Sequence, residues 1–355
     1  MATVRLKFKD GNESDAETML DSNGKLVNLR IDGNYDTNDV IEMELPFVIK
    51  LVDPQVSSLF KNLQKFRALG LEEVSEKGYT QLMYLHSFDA PEAKVIRERA
   101  FYKSVRLTEV RCPKVKIILE YAFSFTHIES FEGGAVEMID EFSFAYCKHL
   151  TSVTLLKMNT MDGFAFSGCA QLKNVEIPMV ENIPAGSFKN CVNLKMIRLD
   201  RATHIRSEAF SGCINLVSIS LGMIETIEWY AFRECFNLKS LTNLPPQFKP
   251  TEQDIINAFD VVGDMFRPAT FVLVYKIPGT TLVKTHEIVL RPDAKPKLSR
   301  GVKVFLSDED IRSKLKVNTK GFRPWYMVSD DFVENPPKRP AEDDGGQALQ
   351  RQRRE

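Results

Sequence analysis

Five histidines, six cysteines and 48 acidic residues are the side chains from which chemistry could be built in this 355-residue chain. The histidines are His86, His127, His149, His204 and His286. None stands in an H-E-x-x-H or H-x-x-x-H spacing, or in a Cys/His cluster that would aim several ligands at one metal ion. No G-x-S-x-G elbow and no glycine-rich phosphate loop occurs. Acidic runs such as Asp308-Glu309-Asp310 and Asp330-Asp331 fall where helices start or loops end. Five cysteines, Cys147, Cys169, Cys191, Cys213 and Cys235, recur every 22 residues, and Cys112 stands apart. A linear ladder of single thiols cannot surround a tetrahedral zinc. Neighbours about 5 Å apart could be bridged as disulfides on distance alone. The opening segment lacks the apolar run of about 7–15 residues that marks a secretory leader. That points to an intracellular, reducing site, cytoplasmic or nuclear, and to free buried thiols. The chemistry expected is therefore none: no catalytic residue, no metal, no cofactor, and no enzyme.

The cysteine period belongs to a larger sentence that the chain repeats. It reads Phe144-x-x-Cys147-x-x-Leu150, then Phe166, Phe188, Phe210 and Phe232 with the same thiol and leucine behind each. An aliphatic residue or methionine stands five positions before each Phe (Ile139, Met161, Ile183, Ile205, Ile227), and apolar pairs such as Val153/Leu155 and Ile197/Leu199 follow nine and eleven positions after. The frame steps back through Phe123 and Phe101 to Tyr79, and to a degenerate unit with Val52, Leu63 and Phe66. The step from Phe123 to Phe144 is 21, one residue short near His127-Ile128. A period in this range is the mark of a solenoid, in which each coil buries its apolar side only against its neighbours. Val153-x-Leu155 alternates as a short strand, Asn182-Ile183 and His204-Ile205 read as a second, and the Phe-x-x-Cys-x-x-Leu spacing of three predicts a helical or 3₁₀ turn between them. The strand ladders are expected to run unbroken from coil to coil.

The unit Ile-x-x-x-Ala-Phe-x-x-Cys-x-x-Leu-x-x-Ile-x-Ile/Leu-Pro resembles the BspA-like (Treponema-type) leucine-rich repeat, and Met161 to Pro178 is nearly a consensus copy. The resemblance covers about half of the chain strongly. It implies a β-rich leucine-rich-repeat solenoid that binds other molecules, most often proteins, without catalysis, and it implies that the cysteine position is a small buried hydrophobe. It does not imply one partner.

Around this array the chain divides into a β-rich cap over 1–51, the solenoid over 52–244, a smaller α+β domain over 245–333, and a tail over 334–355. The cap holds strand candidates at Val4–Phe8, Lys25–Ile31 and Val40–Leu45. After Pro245-Pro246, Thr251-x-x-Asp254 opens a helix in the manner of a capping box, and strands follow at Thr270–Ile277, Thr281–Leu290 and Val302–Leu306. The tail carries basic clusters at Lys338-Arg339 and at Arg351, Arg353 and Arg354. It resembles a nucleoplasmin-type bipartite import signal, which implies an import receptor as a partner.

Binding would fall to outward strand positions, ten residues after each key aromatic when the frame is counted back through the weaker units and the 21-residue step is allowed for: Arg67, Asp89, Arg111, Glu132, Thr154, Glu176, Arg198 and Ser220. Their signs interleave, so the column reads either as a self-neutralising charge ladder or as a mixed-charge face for a partner protein. Interleaved signs make a poor phosphate stripe, and a net charge of -1 gives no field for nucleic acid. No stretch reaches the ~18 apolar residues of a membrane span. The expected function is a protein-binding scaffold. Its rivals are a structural subunit docked through the C-terminal domain and, further off, an enzyme using that domain.

Overall fold

The computed structural model describes residues 3–31, 35–259, 270–277 and 283–289. The basic tail clusters, and the strand expected at Val302–Leu306, lie outside them. Within them the repeats form a solenoid in which each coil carries a short strand, a turn and a longer strand. Short strands such as Ile117–Ile118, Met138–Ile139 and Thr160–Met161 pair in parallel with Ile118, Ile139 and Met161 buried. Longer strands such as Ser130–Glu132, Ser152–Thr154 and Asn174–Glu176 do the same on another side, with Val153 and Leu155 inward.

The turn segment forms a third ladder. The amide of Phe123 donates to the carbonyl of Ser143 at 2.8 Å, and Phe166 and Phe210 donate to Ser187 and Ala231 at 2.9 Å. Inside each turn the bonds are of the i to i-3 type, as in Thr126 N–H to Phe123 C=O at 3.1 Å. They never extend into a helix, because a residue in the left-handed region stands two before and two after each key aromatic: Tyr121 and Phe125 around Phe123, Glu208 and Gly212 around Phe210. The aromatics themselves stack along the axis. Phe101, Phe123, Phe144, Phe166, Phe188 and Phe210 are fully buried, with successive centroids 5.0 to 5.5 Å apart.

The thiols are free and buried, and they are more than small hydrophobes. Cys147, Cys169, Cys191, Cys213 and Cys235 each donate S–H to the carbonyl of the key Phe one coil back, at 3.0 to 3.2 Å. Where earlier coils lack cysteine, Ser104 keeps the bond, its Oγ reaching Tyr79 C=O at 2.6 Å. From Ser104 onward the position holds a compact donor, although Thr126 turns its hydroxyl to Phe123 of its own coil. Burial pushes the Cys147 and Cys112 thiols up to about 12 and raises the others well above their ordinary value of 9.0. The thiol is the form that suits the fold, so this contribution is complete below the unfolded value and is lost as pH rises from 9 towards 12. At pH 8 the native chain is expected to leave all six cysteines unmodified by a thiol reagent that labels them within minutes in denaturant. Rapid labelling of native protein would show the ladder to be open.

The ends are covered. Thr3–Phe8 pairs antiparallel with Val40–Leu45, which pairs in parallel with Lys65–Ala68, so the N-terminal strands begin the long-strand sheet. Glu13–Leu20, unread in the sequence because acidic and small residues fill it, is held by pairing on both sides, with Thr3–Phe8 and Lys25–Arg30. At the other end the helix Glu252–Phe259 opens with the expected Thr251/Asp254 capping bonds. Its Asn257 and Ala258 carbonyls accept from Tyr230 and Phe232, taking the place of the next turn. Thr270–Lys276 then adds in parallel to Ser240–Leu244, and Val283–Val289 closes a hairpin on it.

The ladders are not unbroken, contrary to the sequence expectation. At the 21-residue step, Glu109–Arg111 pairs with Ser87–Asp89 but not with Ser130–Glu132. Between the coils of Phe166 and Phe188, neither strand ladder is paired. Pro184 is one cause. Its counterparts Asp140, Asp162, Arg206 and Glu228 each donate an amide hydrogen to the preceding coil at 2.9 to 3.0 Å, and proline has none to give.

Candidate functional site

The eight outward residues sit where the periodicity places them, on the solvent face of the longer strands. Arg67, Asp89 and Arg111 are in register, as are Glu132, Thr154 and Glu176, and Arg198 with Ser220. The two interruptions therefore cut the column into three parts.

The first part extends into the cap, which sequence reasoning missed. Asp15, Arg5, Glu44, Arg67, Asp89 and Arg111 form one register row of alternating sign, with Arg67 3.6 Å from Glu44 and 3.3 Å from Asp89. Beside it Lys7 and Lys65 flank Glu42 at 3.6 and 3.4 Å. The alternation Val4-Arg5-Leu6-Lys7-Phe8 already held the signal, since period two puts Arg5 and Lys7 outward. Such exposed pairs add at most about 1 kcal/mol each, so their effect here is to cancel charge on this part of the face.

The middle part differs. Glu132 and Glu176 are exposed and form no ion pair among the described residues, and Ser130, Ser152, Thr154 and Asn174 surround them. Glu176 and Arg198, neighbours in the column, do not pair. The third part is tied down instead. Arg198 turns to Asp200 at 3.1 Å, and Asp200 also accepts from Ser220 Oγ at 2.6 Å and Asn243 Nδ2 at 3.0 Å. Partial burial raises the Asp200 pKa, but the bonds from Ser220, Arg198 and Asn243 outweigh it and hold the carboxyl below its ordinary range.

Among the described residues no three His, Cys, Asp or Glu side chains gather as a metal site. His127 and His149 do meet, their rings 4.3 Å apart in adjacent coils. No helix of the described residues is long and apolar enough to cross a membrane.

Coils closed by a buried aromatic stack, with parallel strands along one face, define a leucine-rich-repeat solenoid. The family model for the BspA type leucine rich repeat region matches in six copies over residues 72–195 and 137–257, more than half of the chain, which therefore belongs to that family. Among solved structures the chain is similar to a leucine-rich repeat protein from Bacteroides ovatus, at 18% identity over 66% of each chain and a TM-score of 0.48, so it spans just under two thirds of that protein. It is also similar to the T. pallidum leucine-rich repeat protein, at 18% identity over 56% of this chain and 78% of that one, with a TM-score of 0.35. A leucine rich cell surface protein from Faecalibacterium prausnitzii aligns at 14% identity over 70% of this chain and 97% of that one, with a TM-score of 0.30. No curated protein matches the chain.

Proposed function

We propose that the protein is a non-catalytic scaffold that binds a partner protein on its long-strand face, centred on Ser130–Glu132, Ser152–Thr154 and Asn174–Glu176. The observation that supports this is electrostatic. Charge is cancelled in place from Glu44 to Asp89, and Arg198 is taken up by Asp200, whereas Glu132 and Glu176 stand exposed and form no ion pair among the described residues. Unpaired carboxylates among short hydroxyl side chains suit a partner with basic residues, and complementary charge would set register and encounter rate more than affinity. The basic clusters of the tail stay in this proposal as a nuclear-import address.

A photo-crosslinking residue in place of Thr154 tests the face in cells. One partner is expected to be captured repeatedly, and Glu132→Lys with Glu176→Lys is expected to reduce its capture about tenfold or more, the effect of losing two charge-assisted contacts. Exchanging the charges of Arg67 and Asp89 should leave capture unchanged. Equal capture by the Glu132/Glu176 variant would remove the middle coils from the interface.

A further inference from the structure

One cluster of polar side chains lies off the strand face and outside the role just described. A cavity of about 360 Å³ is lined by Gln64, Tyr84, His86, Arg106, Thr108 and His127. It lies at the bend where each turn runs into its long strand, beside the interruption left by the 21-residue coil. Tyr84, Arg106, His127 and His149 are equivalent positions in successive coils, so the stacking of the solenoid brings them into one column. His86 and Thr108 come from the parallel column two residues on.

Every lining side chain can donate a hydrogen bond, and Arg106 can only donate. The Arg106 guanidinium lies over the Tyr84 ring, 5.4 Å from its centroid, and makes no ion pair among the described residues. A guanidinium over an aromatic ring is attracted to its face while its N–H groups stay available to grip an oxyanion. His86, His127 and Gln64 add N–H groups, and the Thr108 hydroxyl is occupied, donating to the His86 carbonyl at 3.3 Å. No carboxylate lines the cavity. The nearest in register is Glu129, which follows Thr108 in its column, is exposed, and does not pair with Arg106. Lys148 and His149 border His127 and add positive field; burial first, then these two neighbours, hold the His127 pKa below its ordinary value.

We infer that this cavity is an anion site that takes a phosphate monoester or inorganic phosphate, with Arg106 as the principal ligand and His127 and His86 as flanking donors. Its volume accommodates one tetrahedral oxyanion, and its opening to solvent leaves room for the carrier of a monoester. Dianion binding favours the imidazolium over the imidazole, so an occupied site is expected to draw a proton onto His127.

The test uses the full chain and the ring-proton NMR signals of the histidines. Inorganic phosphate is titrated at constant ionic strength, with chloride as the control. Saturable shifts of His86 and His127, and a His127 pKa raised by phosphate but not by chloride, are expected. Arg106→Ala should weaken binding about tenfold or more, and Arg106→Lys less, because a lysine supplies charge without the fork. A phosphoserine peptide and its unphosphorylated form are titrated beside it. Tighter binding of the phosphopeptide than of free phosphate assigns the site to a modified partner, and equal binding assigns it to the free ion. Shifts that do not saturate, that chloride reproduces, or that survive Arg106→Ala would overturn the site.

Discussion

Phe188→Ala is expected to lower the unfolding free energy by about 3–5 kcal/mol, the range for truncating a buried phenylalanine in a rigid core. The ring is fully buried and stacked 5.5 Å from Phe166 and 5.3 Å from Phe210. Its backbone carbonyl accepts the Cys213 thiol, and its amide donates to Ala209, so the backbone has little room to collapse into the space left. The position also matters for cooperativity. No strand pairing joins the coils of Phe166 and Phe188, so core packing around the aromatic contact, the Cys191 bond to Phe166, the turn amides and the Asn193 bonds to Ala170 and Gln171 couple the two halves. Stability in a solenoid is a sum of coil and neighbour terms, so the variant should lose neighbour coupling along with core packing. Urea unfolding followed by circular dichroism should show an earlier midpoint and a transition that broadens or divides. A change below about 1 kcal/mol with an unaltered transition would mean that this stack does not hold the coils together.

Gly186→Ala is the second large effect, and its cause is different. Gly186 has φ +62, yet its counterparts Phe142, Phe164, Glu208 and Tyr230 hold the same left-handed region with side chains attached. The backbone conformation alone therefore does not demand glycine. Contact does: a Cβ on Gly186 would sit 2.2 Å from the ring of Phe164, which is itself stacked on Phe142 at 5.0 Å. Making room means pulling Phe164 off Phe142 or shifting the turn, and overpacking of this kind costs about 1–3 kcal/mol, to which the left-handed alanine adds about 1. Phe164→Ala in the same chain should remove most of the penalty. If the double variant is simply additive, the ring is not what excludes the methyl group.

The array was legible because one coil cannot fold alone, so its apolar positions must recur and are written several times. The inward phenylalanine column, both strand types and the Thr251 cap follow from spacing, whereas the buried thiols follow from the family resemblance. What spacing could not reveal is bonding between coils. Cys147 reads as a hydrophobe until Phe123 C=O is found 3.0 Å away, although Ser104 at the same position was a written hint that a donor is wanted. The left-handed residues escaped for a similar reason: Tyr121, Phe125 and Phe164 are poor residues for that conformation in isolation and are held there by turn ladders and ring stacking. On the outward face, the interleaved signs along the column left two readings open, a self-neutralising ladder and a mixed-charge face for a partner. Pairing occurs only where coils are in register, and a single missing residue after Phe123 ends it. The sequence showed the 21-residue step; its effect on Glu132 and Arg111 needed the register itself.

Pro184 gives the solenoid a preferred place to part. A load pulling the two ends away from each other would be shared by three sets of backbone bonds across most coil boundaries from Val95 to Leu244, but by one set across the boundary at Pro184. Tension therefore concentrates there, and the chain is built to yield as two intact blocks before any single coil unravels.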